Sequence, residues 1–441
     1  MSRRMPALIA VGALTATTVL IATTADASTQ HQHPASAPHH QPLTVHLQSP
    51  TAKAAGSVGV FGAADGDFQV VRGITGTKAK KSALLDVTTG SAIASVVNPV
   101  GGNDALFCDT DGEVFVAKHM RTSPHLLMTP IDTGHFTGEG GENYGSFCYS
   151  VAMHGKFALA TADSQGLIQL IRKKGDWKID KRVQFPGHND AGNPHRPGWI
   201  DVKDSTTKAT LLNQVQIAPK PLPNGKFLAV ALDRDEDVAK RNTAVVFSGV
   251  GTAKPKVRGA VHSRALEIED DTFGEMVYGT GGMAFVPGTA SKALILTRTG
   301  FAVLGLNNPA HPRLKNRKSI GGVTGVSKPN SITISKDGDH VAVAVGNTVY
   351  AYKNVRAAIA KGKPFKLHTS FHVSPDADDV ITDVAYTSND NLLVLHGNGV
   401  TNTGWALTVV RKVPAGHHAI KGSTSTTGPE DRGSLSLYRT P

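Results

Sequence analysis

The chain is expected to fold as an all-β, seven-bladed β-propeller with four-stranded antiparallel blades. Three observations predict it. From Leu43 onward the sequence is a succession of short β-branched and apolar runs punctuated by Gly, Asn and Asp. Tight turns of Asn-Gly or Asp-Gly character join these runs into hairpins, where left-handed backbone angles cost little. The same strand, turn, strand unit then recurs seven times along the chain.

The N-terminus reads as an export signal. Arg3 and Arg4 precede an apolar stretch from Pro6 to Ala22, and the small-residue site Ala25-Asp26-Ala27 follows. This pattern predicts a signal peptide over residues 1–27, cleaved before Ser28. Met5-Pro6-Ala7 is a poor continuation for twin-arginine export, and the signal region has no cysteine to carry a lipid. No later stretch approaches the roughly 20 apolar residues of a spanning helix. The expectation is a secreted or extracytoplasmic protein without a membrane span. Residues 28–41, STQHQHPASAPHHQ, have no apolar periodicity and are expected to form a disordered, His-rich tail. Residues 42–441 then make up the propeller domain, with a first strand expected near Leu43 to His46.

Within that domain the first hairpin of a unit is visible at Val151 to Ala160, Pro223 to Val230, Ile334 to Val343 and Ala385 to Val394. A second turn and a third strand follow in Ala105 to Ala117, Phe157 to Leu170 and Ala293 to Leu304. Second strands anchored at Val58, Ala105, Phe157, Leu228, Ala293, Val341 and Leu392 lie 47 to 71 residues apart. Four-stranded blades repeat at roughly 40 to 50 residues, so the two longest intervals require insertions. A twisted sheet cannot bury both faces alone, and ring closure packs each one between two neighbours. The one helix candidate is Val355 to Ala360.

The segment Pro329 to Tyr352, with its Ser-Lys-Asp-Gly-Asp-His turn, resembles blades of bacterial surface-layer, lactonase-like and WD-type propellers. The resemblance implies the fold alone. It covers one blade well and the others by shape, and the Gly-His and Trp-Asp pairs of WD blades are absent. Propellers include hydrolases, metal chaperones and binding platforms, so function has to be argued from a site.

Two cysteines occur in the chain, Cys108 and Cys148, and an oxidising compartment favours their pairing. The formal net charge is +11, from 46 Lys and Arg against 35 Asp and Glu. This balance favours anionic partners such as a wall polymer, and it reads as spread along the chain rather than gathered in Lys/Arg runs. No helix-turn-helix, zinc-finger or aromatic RNA-binding signature accompanies it, so specific nucleic-acid binding is not expected.

Strand order sorts candidate site residues by face. Turns between first and second strands lie at one end of the ring, which places His154 and His340 there as exposed turn residues. Second-to-third turns and blade connections lie at the other end, the mouth. Mouth-side segments contain His135, His188, His195, His262 and His396, and neutral imidazoles with Asp190 or Glu142 would suit zinc or copper. His31, His33, His39 and His40 in the tail offer a second set of donors. A His-rich tail ahead of an exported propeller resembles the architecture of periplasmic zinc chaperones, which implies metal transfer without assigning any ligand here. The tail is expected to emerge beside the mouth. Glu267 to Asp271 reads as a solvated acidic loop, and Asp233, Asp235 and Asp237 fail as an EF-hand because Val238 stands at the glycine position. The chain has no Gly-x-Ser-x-Gly elbow, no His-Glu-x-x-His and no phosphate loop. The favoured function is a non-enzymatic binding protein that binds or traffics a divalent metal such as zinc, with an extracellular lactonase-like or glycosidase-like hydrolase as the alternative.

Overall fold

Burial on both faces explains why these runs become strands. In the strand Phe227–Asp233, Leu228, Val230 and Leu232 enter one apolar layer while Ala229 and Ala231 enter the layer on the other side. Successive side chains of a strand point to opposite faces, so a sheet covered on both sides needs an uninterrupted apolar run. The strand His340–Val345 repeats the device: Val341, Val343 and Val345 pack one way, Ala342 and Ala344 the other. Large side chains fill one interface, and alanines let the next sheet approach.

The computed structural model describes the strands of residues 43–145 given below, residues 148, 150–161, 166–184, 199–201, 212–233, 243–252, 255–266, 282–321, 323, 329–374 and 377–386, residue 413, and the strands beyond 391. The described strands form seven sheets of four or five strands and one two-stranded ribbon. Blade 2 comprises Ile93–Val97, Ala105–Asp109, Val114–Lys118 and His125–Ile131, from the channel outward. Blade 3 comprises Val151–His154, Phe157–Thr161, Gly166–Lys173 and Asp176–Gln184. Blade 4 comprises Leu212–Ile217, Phe227–Asp233, Thr243–Val250 and Lys256–His262. Blade 5 comprises Met283–Phe285, Lys292–Thr297, Gly300–Gly305 and Arg313–Ser319. Blade 6 comprises Pro329–Ile334, His340–Val345, Thr348–Lys353 and Lys366–His372. Blade 7 comprises Asp379–Tyr386, Leu392–Asn398, Thr403–Arg411 and Ala419–Ser425.

Blade 1 is composite. Its outer strands are Ser57–Gly62, Phe68–Thr75 and Lys78–Leu85, and its innermost strand is Ser436–Leu437 from the far end of the chain, paired with Gly59 and Val60. A strand from each end of the chain in one sheet lets backbone hydrogen bonds seal the ring. Contacts between neighbouring sheets run through all seven, with the innermost strand of blade 7 against Ser436–Leu437 and that strand against Ile93–Val97.

All seven second-strand anchors fall in second strands. The first strand does not fall where the sequence placed it. Leu43–His46 pairs with Met128 to His125 as a fifth strand on the outer edge of blade 2. A short apolar run carries no label for which sheet edge it joins, and the channel position of blade 1 is taken by the C-terminal strand instead. The long interval after blade 3 holds an added strand, Trp199–Asp201, parallel to Arg182–Gln184. The helix Val355–Lys361 forms as expected and ends at Gly362, whose φ of 61° is the left-handed conformation that suits a helix C-terminus. Among the described residues no helix is long and apolar enough to cross a membrane.

Polar ties supplement the apolar layers. Gln169, 1% exposed on blade 3, donates to the carbonyl of Thr252 at 2.9 Å and accepts from the backbone N–H of Gly251 at 2.9 Å, gripping the outer turn of blade 4. Innermost strands leave N–H groups on their channel edge without a strand partner, and buried groups of the preceding blade satisfy several. The Ser150 hydroxyl accepts from the N–H of Val215 at 3.1 Å, and that of Ser331 accepts from Val384 at 3.1 Å while donating to Asp383. Thr333 accepts from Tyr386 at 3.3 Å. Cys148 is buried, three residues ahead of the innermost strand of blade 3, while Cys108 lies in the second strand of blade 2.

Candidate functional site at the mouth between blades 6 and 7

The mouth end of blade 7 combines the start of its first strand with the end of its second. Asp379 opens the innermost strand, and His396 lies near the end of the neighbouring one. The His396 Nδ1 and Asp379 Oδ2 atoms are 2.7 Å apart, and both residues are buried, at 7% and 6% exposure. A carboxylate beside Nδ1 fixes the ring orientation and places the Nδ1 proton between the two groups. The second carboxylate oxygen of Asp379, Oδ1, is also buried and has no hydrogen-bond partner among the described residues. Burying such an atom costs free energy unless something satisfies it.

Blade 6 supplies the facing wall. The N–H of Ile381 donates to the carbonyl of Gly346 at 2.9 Å, fixing the start of blade 7 against the second-to-third turn of blade 6. The next residue in that turn, Asn347, has its Oδ1 3.1 Å from Nδ1 of His372 and accepts from the Thr348 hydroxyl at 3.1 Å. His372 is exposed at the end of the outermost strand. One buried and one exposed imidazole therefore share this mouth-side junction with a buried carboxylate.

The other residues expected at the mouth are dispersed. His262 ends the outermost strand of blade 4, exposed, with Nδ1 2.6 Å from the Thr243 hydroxyl. Its blade is separated from that of His396 by blades 5 and 6. His135 belongs to the ribbon of His135–Thr137 and Asn143–Gly145, within the connection from blade 2 to blade 3. His188, Asp190, His195, Glu142 and the tail histidines His31, His33, His39 and His40 lie outside the described residues. Among the described residues no group of three or more His, Cys, Asp or Glu side chains converges as a metal site.

Two turn histidines need correction. His154 and His340 are at the end opposite the mouth, as expected, but neither is a fully exposed side chain. His154 packs on Phe227 and Phe157 with ring centroids 4.5 Å and 5.7 Å away, and this burial lowers its pKa from the usual imidazole value. The imidazole closes an aromatic cluster that a turn motif alone does not reveal. Asp379 was missed by sequence reading. Its signal was a carboxylate, in Asp378-Asp379, directly ahead of the apolar run Val-Ile-Thr-Asp-Val-Ala-Tyr386.

Seven sheets, each built on four antiparallel strands and packed between two others in a closed ring, define a β-propeller. No family model matches the chain and no curated protein matches it. Among solved structures it is similar to Sqt1 of Saccharomyces cerevisiae, at 12% identity over 90% of this chain and 97% of that one, with a TM-score of 0.49. It is also similar to the Cps50 (Swd1) β-propeller domain of Myceliophteria thermophila, at 12% identity over 77% and 88%, TM-score 0.46. The C-terminal WD40 domain of Sif2 matches at 13% identity over 89% and 98%, TM-score 0.42. At these values the assignment rests on the sheet topology of the chain itself.

Proposed function

We propose that this protein is an exported, non-enzymatic binding propeller that receives its ligand or protein partner at the mouth beside blades 6 and 7. The observation that carries the reading is the buried Asp379 carboxylate, with one oxygen against His396 and the other unpartnered among the described residues. A ring that only had to close would fill that position with an apolar side chain, as the interface of blades 5 and 6 does. The finer reading, binding or transfer of zinc or copper, draws on the mouth-side positions of His135, His262 and His396 and on the histidines of residues 28–41.

Zinc analysis of the mature protein, of a form lacking residues 28–41, and of Asp379→Asn and His396→Gln variants separates these readings. Stoichiometric zinc that survives tail removal and disappears in both variants is the expected result for a mouth site. Zinc lost with the tail alone assigns the metal to the tail. Zinc in none of the forms leaves a non-metal partner, and turnover of a lactone or glycoside would overturn the non-enzymatic reading.

Export also carries a proposed Cys108–Cys148 bridge. Cys108 and Cys148 are the two cysteines of the chain, and the strands beside them, Ala105–Asp109 and Val151–His154, pack against each other across blades 2 and 3. Closing that loop stabilises the fold by about 2 to 4 kcal/mol through restriction of the unfolded chain. Alkylation of native, non-reduced protein should label neither cysteine, and N-terminal sequencing of the exported form should begin at Ser28.

A further inference from the structure

The positive charge is not spread around the ring, as the absence of Lys/Arg runs implied. Between Glu275 and Asp376 the chain carries thirteen Lys and Arg residues and two acidic ones, Asp337 and Asp339. This segment is blades 5 and 6 with their connections, and its excess equals the +11 of the whole chain, so the remaining residues are balanced. The absence of runs concealed it because strand alternation separates most of these charges by a less exposed residue.

The structure gathers much of this charge on one surface. On the outermost strand of blade 5, Arg313, Lys315 and Arg317 are exposed while the alternate residues are half-buried. Arg313 and Lys315, two residues apart on the strand, are about 7 Å apart, within the ~8 Å over which physiological salt screens them, so their fields add, and Arg317 follows across a bulge at Asn316, whose φ is 49°. Blade 6 extends the same surface. The Asn316 side-chain amide donates to the carbonyl of Lys363 at 3.0 Å, and Arg356 donates to the carbonyl of Pro287 at 3.2 Å, so the helix and the segment after it are fastened against blade 5. From that segment Lys361, Lys363 and Lys366 are exposed. Lysines commonly guard sheet edges against pairing with other chains. The outer strand of blade 3 has lysines too, but it carries Asp176 and Asp180, with Lys173 3.8 Å from Asp180. The outer strand of blade 5 has no acidic residue.

We propose that this outer face of blades 5 and 6 binds a linear polyphosphodiester with a polyol backbone, the chemistry of an anionic wall polymer. Its phosphates repeat at a spacing that a row of strand-borne charges can follow. The surface offers no stacking platform for bases: the one exposed large hydrophobic side chain among the described residues is Leu367, and base stacking on aromatic rings is what single-stranded nucleic-acid binders add to their basic grooves. The proposal is independent of the mouth.

The test is fluorescence anisotropy of labelled poly(glycerol phosphate) against the mature protein over a range of salt concentrations. A triple variant, Arg313→Gln with Lys315→Gln and Arg317→Gln, is expected to bind at least about tenfold more weakly. Its slope of log K against log salt should shrink by about 2, near 0.7 for each phosphate that the variant no longer neutralises. Lys361→Gln with Lys363→Gln and Lys366→Gln should act in the same direction. All six side chains are exposed, and an unchanged thermal midpoint verifies folding. Neutralising Lys173, Lys174 and Lys178 of blade 3 should leave affinity within about twofold, and Asp379→Asn should leave it unchanged. Equal loss from the blade 3 variant, unaltered binding in both blade 5 and 6 variants, or tighter binding of an oligo(dT) than of the polyol phosphate would each overturn the proposal.

Discussion

The interface between blades 5 and 6 and the one between blades 6 and 7 use the same strands of blade 6 on opposite faces, yet they are built differently. The first is closed by Phe301, with Tyr352 and Phe365 at ring-centroid distances of 5.1 and 4.9 Å and Val341, Val343 and Ile334 around them. Burial raises the Tyr352 pKa and keeps the phenol protonated. The second has an apolar layer of Ala342, Ala344, Val384 and Leu392, but also Asp379, His396, Asp383 and Ser331 in buried positions. The first interface is organised for packing. The second accepts buried polar groups, concentrated toward the channel and mouth, and that difference is why the candidate site is placed there.

Truncation gives the largest expected contrast. Phe301→Ala, opening a cavity between blades 5 and 6, should cost about 3 to 5 kcal/mol in urea unfolding, because Phe301 is fully buried. A cost under about 1 kcal/mol would mean that the two interfaces are equally tolerant. His396→Leu should cost about 2 to 3 kcal/mol by leaving the Asp379 carboxylate buried without its imidazole. A neutral or stabilising result would show that the pair is solvated and carries no constraint. Ser331→Ala should cost about 1 to 2 kcal/mol, since Val384 retains the Asp383 carboxylate as acceptor at 2.8 Å.

The smallest effect distinguishes the mouth from the opposite end. Burial depresses the His154 pKa below the ordinary imidazole value of 6.5, so the unfolded chain binds a proton that the folded chain does not. Stability should therefore fall as pH drops below about 6.5, the unfolded histidine value, until the folded His154 itself titrates. His154→Phe should flatten that part of the stability curve between about pH 7 and 5 without altering the mouth. An identical pH profile in the variant would show that His154 is not held neutral by its aromatic neighbours.

Much of the ring was legible in the sequence because its signals are local. Asp337-Gly338, with Gly338 at φ 78°, marks a turn by conformational preference alone, and runs such as Val-Ala-Val-Ala-Val345 declare strands buried on both faces by their composition. The second-strand anchors and the helix before Gly362 follow from such patterns. Strand order also led to His396, expected in a second-to-third turn; it lies instead within the second strand, Leu392–Asn398, near that end. What the sequence could not decide is anything requiring two distant segments to meet. Ser436–Leu437 is two residues of strand whose role exists because blade 1 lacks an innermost partner. Leu43–His46 is as apolar as a channel strand but pairs at an outer edge, four strands out from the channel, so the chain enters it away from the opening. Asp379 and His396 are 17 residues apart, and their pairing depends on register across a bulge between Ile381 and Asp383. The joining of Arg313, Lys315 and Arg317 to Lys361, Lys363 and Lys366 likewise depends on one blade packing beside the next. Local pattern determines which residues form strands and which face they bury; only ring closure decides which edges, charges and carboxylates become neighbours, because that is set by the packing of whole sheets and not by any stretch of chain.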